Sequence, residues 1–150
     1  MIQTLRALRI ARFTIILGLL VVAAGCLSST EAKPSISNLS GSWSYTGAQT
    51  SPVRENLSGT LTISSESGSS FQGRLDVVGL NPQTQQNRVL GGTVTGSAQG
   101  SDLIDFDANL ETAPRRHVGQ IVADTITGTW VGSSADGTTA SGTFRIEKTR

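Results

Sequence analysis

The side chains that could carry chemistry in this sequence are few, and two types occur only once. Cys26 is the single cysteine and His117 the single histidine among 150 residues. A zinc site needs several such ligands, so these two are too few to build one. A serine hydrolase would need a serine in a sharp turn such as Gly-x-Ser-x-Gly, and no serine stands in that context. We therefore predict no enzyme activity, and we expect His117, which follows Arg115 and Arg116, to begin a strand at the solvent edge.

The carboxylates also give little indication of a metal site or a catalytic site. Asp102, Asp105 and Asp107 lie close together in the sequence, and calcium prefers oxygen ligands. However, Asp105 and Asp107 alternate with apolar residues, which places them on the outer face of a strand rather than in a loop that wraps a cation. Acid–base catalysis by paired carboxylates needs a partly dry cleft, and the predicted inward positions are almost all apolar. We predict no metal and no cofactor.

Cys26 closes an apolar segment at the start of the chain. Three arginines precede an uncharged run from Phe13 to Ala24, at Arg6, Arg9 and Arg12. This is the layout of a secretory signal peptide, and the run is shorter than the roughly 20 residues that span a membrane. An uncleaved anchor helix is the alternative, but Arg12 would then cost about 2.5–3.5 kcal/mol near the membrane centre. We expect residues 1–25 to be removed.

The five residues at the end of this segment resemble a lipobox, the site at which a bacterial lipoprotein precursor is acylated on cysteine and cut before it. They are Val22, Ala23, Ala24, Gly25 and Cys26, and Ala23 departs from the pattern, where Leu is commonest. The resemblance implies a diacylglyceryl lipid on Cys26 that holds the protein to a membrane, because two or more acyl chains anchor firmly. Leu27, where an inner-membrane retention signal has Asp, favours the outer membrane in a cell that has one. A plain signal-peptidase site among the small residues 23–25 is the alternative.

Removal of residues 1–25 would change the charge of the protein. The whole chain carries 12 basic and 11 acidic residues, and the segment removes three arginines and no acid, so the mature chain is slightly acidic. Nucleic-acid binding is not expected without a basic patch. The polar stretch from Leu27 to Leu39 predicts a flexible tether that reaches up to about 40 Å when extended. The expected organisation is a signal peptide at 1–25, a lipidated tether at 26–39 and one domain at 40–150.

A short pattern of glycine, any residue and an apolar residue recurs through that domain. On a strand the glycine and the apolar residue share one face. The pattern occurs seven times, as Gly41-Ser-Trp43, Gly59-Thr-Leu61, Gly73-Arg-Leu75, Gly92-Thr-Val94, Gly119-Gln-Ile121, Gly128-Thr-Trp130 and Gly142-Thr-Phe144. One further strand alternates without the glycine, at Ile104, Phe106, Ala108 and Leu110. The sequence therefore predicts eight strands, each with one apolar face.

The connections between these strands indicate how they are arranged. Hairpin turns are predicted at 66–69, 99–101 and 135–137, and longer connections at 47–56, 79–87 and 111–115. Strands with one polar and one apolar face are typical of antiparallel sheets. Eight of them in order predict an all-β, up-and-down barrel, in which glycines on the inner face allow strands to bend and crowd. A two-sheet sandwich is the alternative.

Gly41-Ser42-Trp43 on the first strand resembles the Gly-x-Trp that opens lipocalins and avidin-like proteins, the calycin group. The resemblance implies that Trp43 closes one end of the barrel under a basic side chain, for which Arg145, or Lys148 after it, is placed. Tyr45 stands where avidin-like proteins would offer Asn, so biotin binding is not expected. A second similarity, of the strand Gly142-Thr143-Phe144, is to barrel domains of surface lipoproteins that bind host proteins.

Trp43 and Trp130 are the large aromatic residues expected inside the barrel. They could form a ligand platform at the barrel mouth or simply fill the core, since an eight-stranded barrel is just wide enough for either arrangement. We predict a non-catalytic binding module, anchored by lipid, for an envelope or extracellular protein. The alternatives are a carrier of a small apolar ligand and a barrel of the protease-inhibitor type.

Overall fold

The computed structural model describes residues 38–100, 102–110, 113–133 and 137–150, which form a closed antiparallel barrel. The strands pair in chain order and β1 pairs with β8, so no edge is left open. Their bounds are β1 Gly41–Ser51, β2 Glu55–Ser67, β3 Ser70–Leu80, β4 Asn87–Gln99, β5 Leu103–Leu110, β6 Ala113–Val122, β7 Thr125–Ser133 and β8 Thr139–Lys148. The predicted eight-stranded up-and-down barrel is confirmed, and the sandwich alternative is wrong.

The predicted signal peptide at 1–25, the predicted lipid attachment at Cys26 and most of the predicted tether lie outside the described residues. In the part of the chain that is described, no segment forms an apolar helix of membrane-spanning length.

Residues alternate between the inside and the outside of the barrel along each strand. In β5 the side chains of Ile104, Phe106, Ala108 and Leu110 are buried, whereas Asp107 and Asn109 between them are exposed. The apolar residues of the glycine pattern are buried in the same way and join one core that runs through the barrel. Burial of this apolar surface is the main favourable contribution to the stability of the fold.

The glycines of the pattern lie where neighbouring strands approach most closely. A Cβ atom built on any of five of them would lie 1.8–2.2 Å from a carbonyl oxygen of the adjacent strand, at Gly59, Gly73, Gly92, Gly128 and Gly142. No side chain fits at these positions without pushing two strands apart. The repeat that predicted the strands is therefore also what permits them to close into a narrow barrel.

The two ends of the barrel have different connections. Tight turns at Gly68–Ser69 and Ala123–Asp124 join strands at one end, and Gly68 supports its turn with a φ of 62°. The connections 52–54 and 81–86 lie at the other end. All three predicted longer connections are shorter than expected, because β1 continues to Ser51, β3 continues to Leu80 and β6 already begins at Ala113.

Candidate functional site

One end of the barrel is closed by Leu39, Trp43 and Lys148, and we call it the tryptophan end. The Lys148 ammonium lies 5.2 Å from the centre of the Trp43 ring, and Trp43 Nε1 donates a hydrogen bond of 2.8 Å to the Leu39 carbonyl oxygen. Lys148 Nζ also donates to the Asn38 carbonyl oxygen at 2.6 Å. Leu39 was predicted to be the last residue of the tether, but it is buried in the core, so the barrel begins before residue 40.

Of the two basic side chains predicted to cover Trp43, Lys148 does so and Arg145 does not. Lys148 follows Phe144 and Ile146 at even spacing, so it shares their inward face at the end of β8. Arg145 lies between them on the outer face, where it is half exposed and pairs with Glu147. The alternation of the strand decides between the two cations.

The middle of the barrel is filled by a cluster of rings that we call the aromatic layer. The His117 ring stacks on Phe106 with centroids 4.4 Å apart, and Phe144 meets His117 edge-on at 5.1 Å. Phe71 lies 6.2 Å from Phe106, and Tyr45 lies 6.2 Å from Phe144. Such separations are those of packed aromatic pairs. Each of the five strands that carry these rings contributes one ring, and together the rings form a solid layer across the barrel.

His117 is completely buried in this layer, so its predicted place at the solvent edge is wrong. Its Nδ1 lies 3.2 Å from the Arg115 carbonyl oxygen, which can only accept a hydrogen bond. Nδ1 must therefore carry the proton, and Nε2 accepts the hydrogen bond of 3.3 Å from the Tyr45 hydroxyl. Burial, with a smaller opposing effect of the Arg115 carbonyl, lowers the pKa of His117 from 6.5 to about 3. The imidazole is neutral and structural at ordinary pH.

The opposite end of the barrel collects polar side chains on its inner face, and we call it the arginine end. It consists of Gln49, Glu55, Arg88, Arg115 and Trp130. Arg88 donates to Glu55 through Nε at 2.9 Å and pairs with it through Nη2 at 2.5 Å. The guanidinium carbon of Arg115 lies 4.1 Å above the centre of the Trp130 ring, a cation–π contact. Trp130 was predicted to lie inside the barrel, and it is buried there.

Arg115 is the unusual member of this end because it is only 1 % exposed. Its Nη2 donates to Gln49 Oε1 at 3.3 Å, but its Nε has no hydrogen-bond partner among the described residues, and neither has Trp130 Nε1. Burial and the nearby charge of Arg88 lower the pKa of Arg115 below its usual 12.5. A buried cation whose donors are not all used is costly to keep, and such groups concentrate at functional sites.

The arginine end was not predicted, although the alternation of inward and outward residues along the strands indicates it. Counting back by two from Ile121 and Gly119 places His117 and Arg115 on the inner face of β6. Counting forward from Trp43 in β1 places Gln49 there too. Pro114 and the charged pair that follows it suggested a connection instead of a strand, and this hid the polar residues.

The carboxylates that were considered for calcium lie on the outside of the barrel. Asp105 accepts a hydrogen bond of 3.2 Å from Arg116 Nε, and Asp107 is exposed two residues further along β5. Within the described ranges, no group of three residues of metal-binding type comes together.

Comparison with known proteins finds likeness in structure alone. No protein-family model matches the chain, and no curated protein does. The fold is similar to that of EF1p2_mFAP2b bound to DFHBI, with a TM-score of 0.63, 11% identity, and coverage of 78% of this chain and 98% of that one. It is also similar to a fluorescence-activating β-barrel designed de novo, with a TM-score of 0.53, 13% identity, and coverage of 73% of this chain and 93% of that one.

Proposed function

We propose that this chain is a non-catalytic binding protein of the bacterial envelope, held to a membrane by lipid on Cys26, which binds a small ligand at the arginine end. The observation that carries the proposal is the buried, incompletely bonded guanidinium of Arg115 above Trp130. The tryptophan end is bonded to the chain's own segment 38–40. Among the described residues, the two buried donors without a partner, Arg115 Nε and Trp130 Nε1, both lie at the arginine end.

The chemistry of the buried titratable groups supports binding over catalysis. A general acid or base works best with a pKa near the working pH. The pKa of His117 is lowered to about 3, and burial raises the pKa of Tyr45 above its usual 10. Both groups stay neutral and bonded to each other, so neither is set to exchange protons with a substrate.

The structural neighbours support a small ligand more than a large one. A redesigned barrel of similar fold, mFAP1, was solved bound to the dye DFHBI, which indicates that a barrel of this size accommodates a compact organic molecule. In this chain the aromatic layer fills the middle, so a ligand would occupy the arginine end and extend no deeper. This limits the carrier alternative to short molecules.

A protein partner at the same end is the second candidate function. Val89 near the start of β4 and Val78, which pairs with it on β3, are exposed apolar residues on that side, at 72 % and 39 %. Exposed apolar side chains that lie together are typical of interaction surfaces.

Native mass spectrometry of residues 27–150, exported and purified gently without the lipid, tests the primary proposal. This part of the chain carries all eight strands and the whole core. We expect an added mass, that of a small organic molecule, which is lost on denaturation. The bare mass alone, with no shift on adding compact organic molecules, would contradict a small ligand and favour the protein partner.

The anchor is tested by replacing Cys26 with serine in the full-length precursor. We expect the natural chain to incorporate labelled palmitate and to sediment with membranes, because two or three acyl chains bind a bilayer firmly. The Cys26→Ser precursor should incorporate no label and should not be processed before residue 26. A mature chain that starts at another residue and carries no lipid would show that a plain signal peptidase cuts it.

A further inference from the structure

Two guanidinium groups at the arginine end converge on a single neutral oxygen. Gln49 Oε1 accepts from Arg88 Nη2 at 3.2 Å and from Arg115 Nη2 at 3.3 Å. Hydrogen bonds from guanidinium to a carboxylate are normally about 2.7–2.9 Å. The amide oxygen thus lies where an anionic oxygen would be held more tightly. The Gln49 amide nitrogen donates to the Val53 carbonyl oxygen, which keeps Oε1 turned toward the arginines.

The donors that remain match two oxygens in one plane. Nε and Nη2 of an arginine point from the same edge of the planar guanidinium, and this edge fits a carboxylate in a bidentate manner. On Arg115 that edge has one donor without a partner among the described residues and one long bond to Gln49. Trp130 offers a further buried N–H in the ring beneath.

The charges of the described residues favour a single negative charge. Glu55 forms its ion pair with Arg88 and acts on Arg115 only at longer range, so no carboxylate of the described residues is in contact with the Arg115 guanidinium. One monoanion would make this end neutral, whereas a dianion would overcompensate. The Arg88 side chain is 32 % exposed, which gives a ligand an approach from solvent on that side.

We propose that the arginine end is a carboxylate site, in which a small monocarboxylate takes the place of Gln49 Oε1 between Arg88 and Arg115. This inference rests on the proposed function and names its ligand class. The aromatic layer below restricts the rest of the ligand to a short body, and the buried side chains of Leu57 and Leu90 beside Glu55 and Arg88 on their strands favour an apolar one. A molecule the size of benzoate meets these conditions.

The experiment measures binding of benzoate to residues 27–150 by calorimetry and by thermal unfolding at constant ionic strength. Benzamide serves as the neutral analogue of the same shape, and inorganic phosphate as the other oxyanion. We expect saturable binding of benzoate, with a rise in Tm, and at least tenfold weaker binding of both other probes. No saturable binding of benzoate, or tighter binding of phosphate, would overturn the inference.

Two variants test whether benzoate binds at these residues, and a third variant is their control. Gln49→Glu supplies its own carboxylate and should weaken benzoate binding at least tenfold. Gln120→Glu, an exposed position on the outside of β6, makes the same change of charge and should leave affinity unchanged. Arg115→Met keeps an unbranched apolar stem of similar reach and should abolish binding while the circular dichroism spectrum stays that of the barrel. Equal affinity in all three variants would place benzoate elsewhere and refute the site.

Two further results separate this inference from the proposed function. A neutral molecule found by native mass spectrometry, with no binding of benzoate, would support the proposed binding function but contradict the carboxylate site.

A further variant, Glu111→Gln, tests whether the chain supplies its own carboxylate. Glu111 belongs to the β5–β6 connection, outside the described residues. Binding of benzoate by that variant and not by the natural chain would show that the chain supplies its own anion, and would overturn the inference.

Discussion

Replacing Gly92 with alanine is expected to destabilise the barrel by at least about 3 kcal/mol, at the upper end of the cost of inserting a methyl group into a packed site. The added Cβ would lie 1.8 Å from the Asn109 carbonyl oxygen and 3.0 Å from Leu110 Cα. Both obstacles are backbone atoms of β5, so no side chain can rotate to make room. Urea unfolding followed by circular dichroism measures the loss of free energy of unfolding.

Gly91 provides the matched control for this substitution. It is adjacent in β4, and alanine there would meet the ends of the Asp76 and Arg74 side chains at 2.5 and 2.7 Å. These side chains are more than half exposed and can move aside. We expect Gly91→Ala to change the free energy of unfolding by less than about 1 kcal/mol. Equal losses in the two variants would show that close strand approach is not the reason for the glycine pattern.

Acid is expected to destabilise the barrel through His117. Because the pKa of His117 is about 3 in the folded chain and 6.5 in the unfolded chain, the unfolded chain binds this proton first as the pH falls. Above pH 6.5 this protonation does not lower the free energy of unfolding. Below it the free energy of unfolding should fall by about 1.4 kcal/mol per pH unit, which amounts to about 3 kcal/mol by pH 4.

The variant His117→Gln isolates this effect, because glutamine does not titrate and can still accept from the Tyr45 hydroxyl. The carboxylates titrate in both proteins, so the difference between their urea unfolding curves at pH 7, 5 and 4 reports the histidine. We expect the natural chain to lose its advantage over the variant as the pH falls. Parallel pH profiles would mean that His117 is protonated inside the barrel or that the folded chain opens around it.

The fold could be predicted because it depends on a local pattern repeated many times. Each inward apolar residue occurs at every second position, and the glycine beside it marks a close approach of strands. In β5, where the glycine is absent, the alternation of Phe106 and Ala108 with Asp107 was enough. A closed barrel, rather than a sandwich, was predicted from the eight consecutive antiparallel strands and from the crowding of strands that the glycines indicate.

The candidate site was harder to predict, because its residues break the rule that the interior is apolar. Arg115 and His117 occupy inward positions of β6, and Gln49 occupies one near the end of β1. The role of a polar residue in such a position can be recognised only when its neighbours across the barrel are known. The residues of this site come from five different strands. Lys148 differs from these residues, because the alternation of Phe144 and Ile146 in the sequence of β8 is enough to distinguish its inward position from that of Arg145.

The first and last described residues lie side by side. The Thr149 amide donates to the Ser42 carbonyl oxygen at 3.0 Å, and Asn38 and Leu39 are bonded to the same end of the barrel. A chain that is attached to a surface through the residues before Asn38 is therefore suspended from its tryptophan end. The arginine end is then the opposite end of the described barrel, away from Asn38 and Thr149. A molecule that diffuses toward the attached protein then reaches the arginine end without first meeting the anchor.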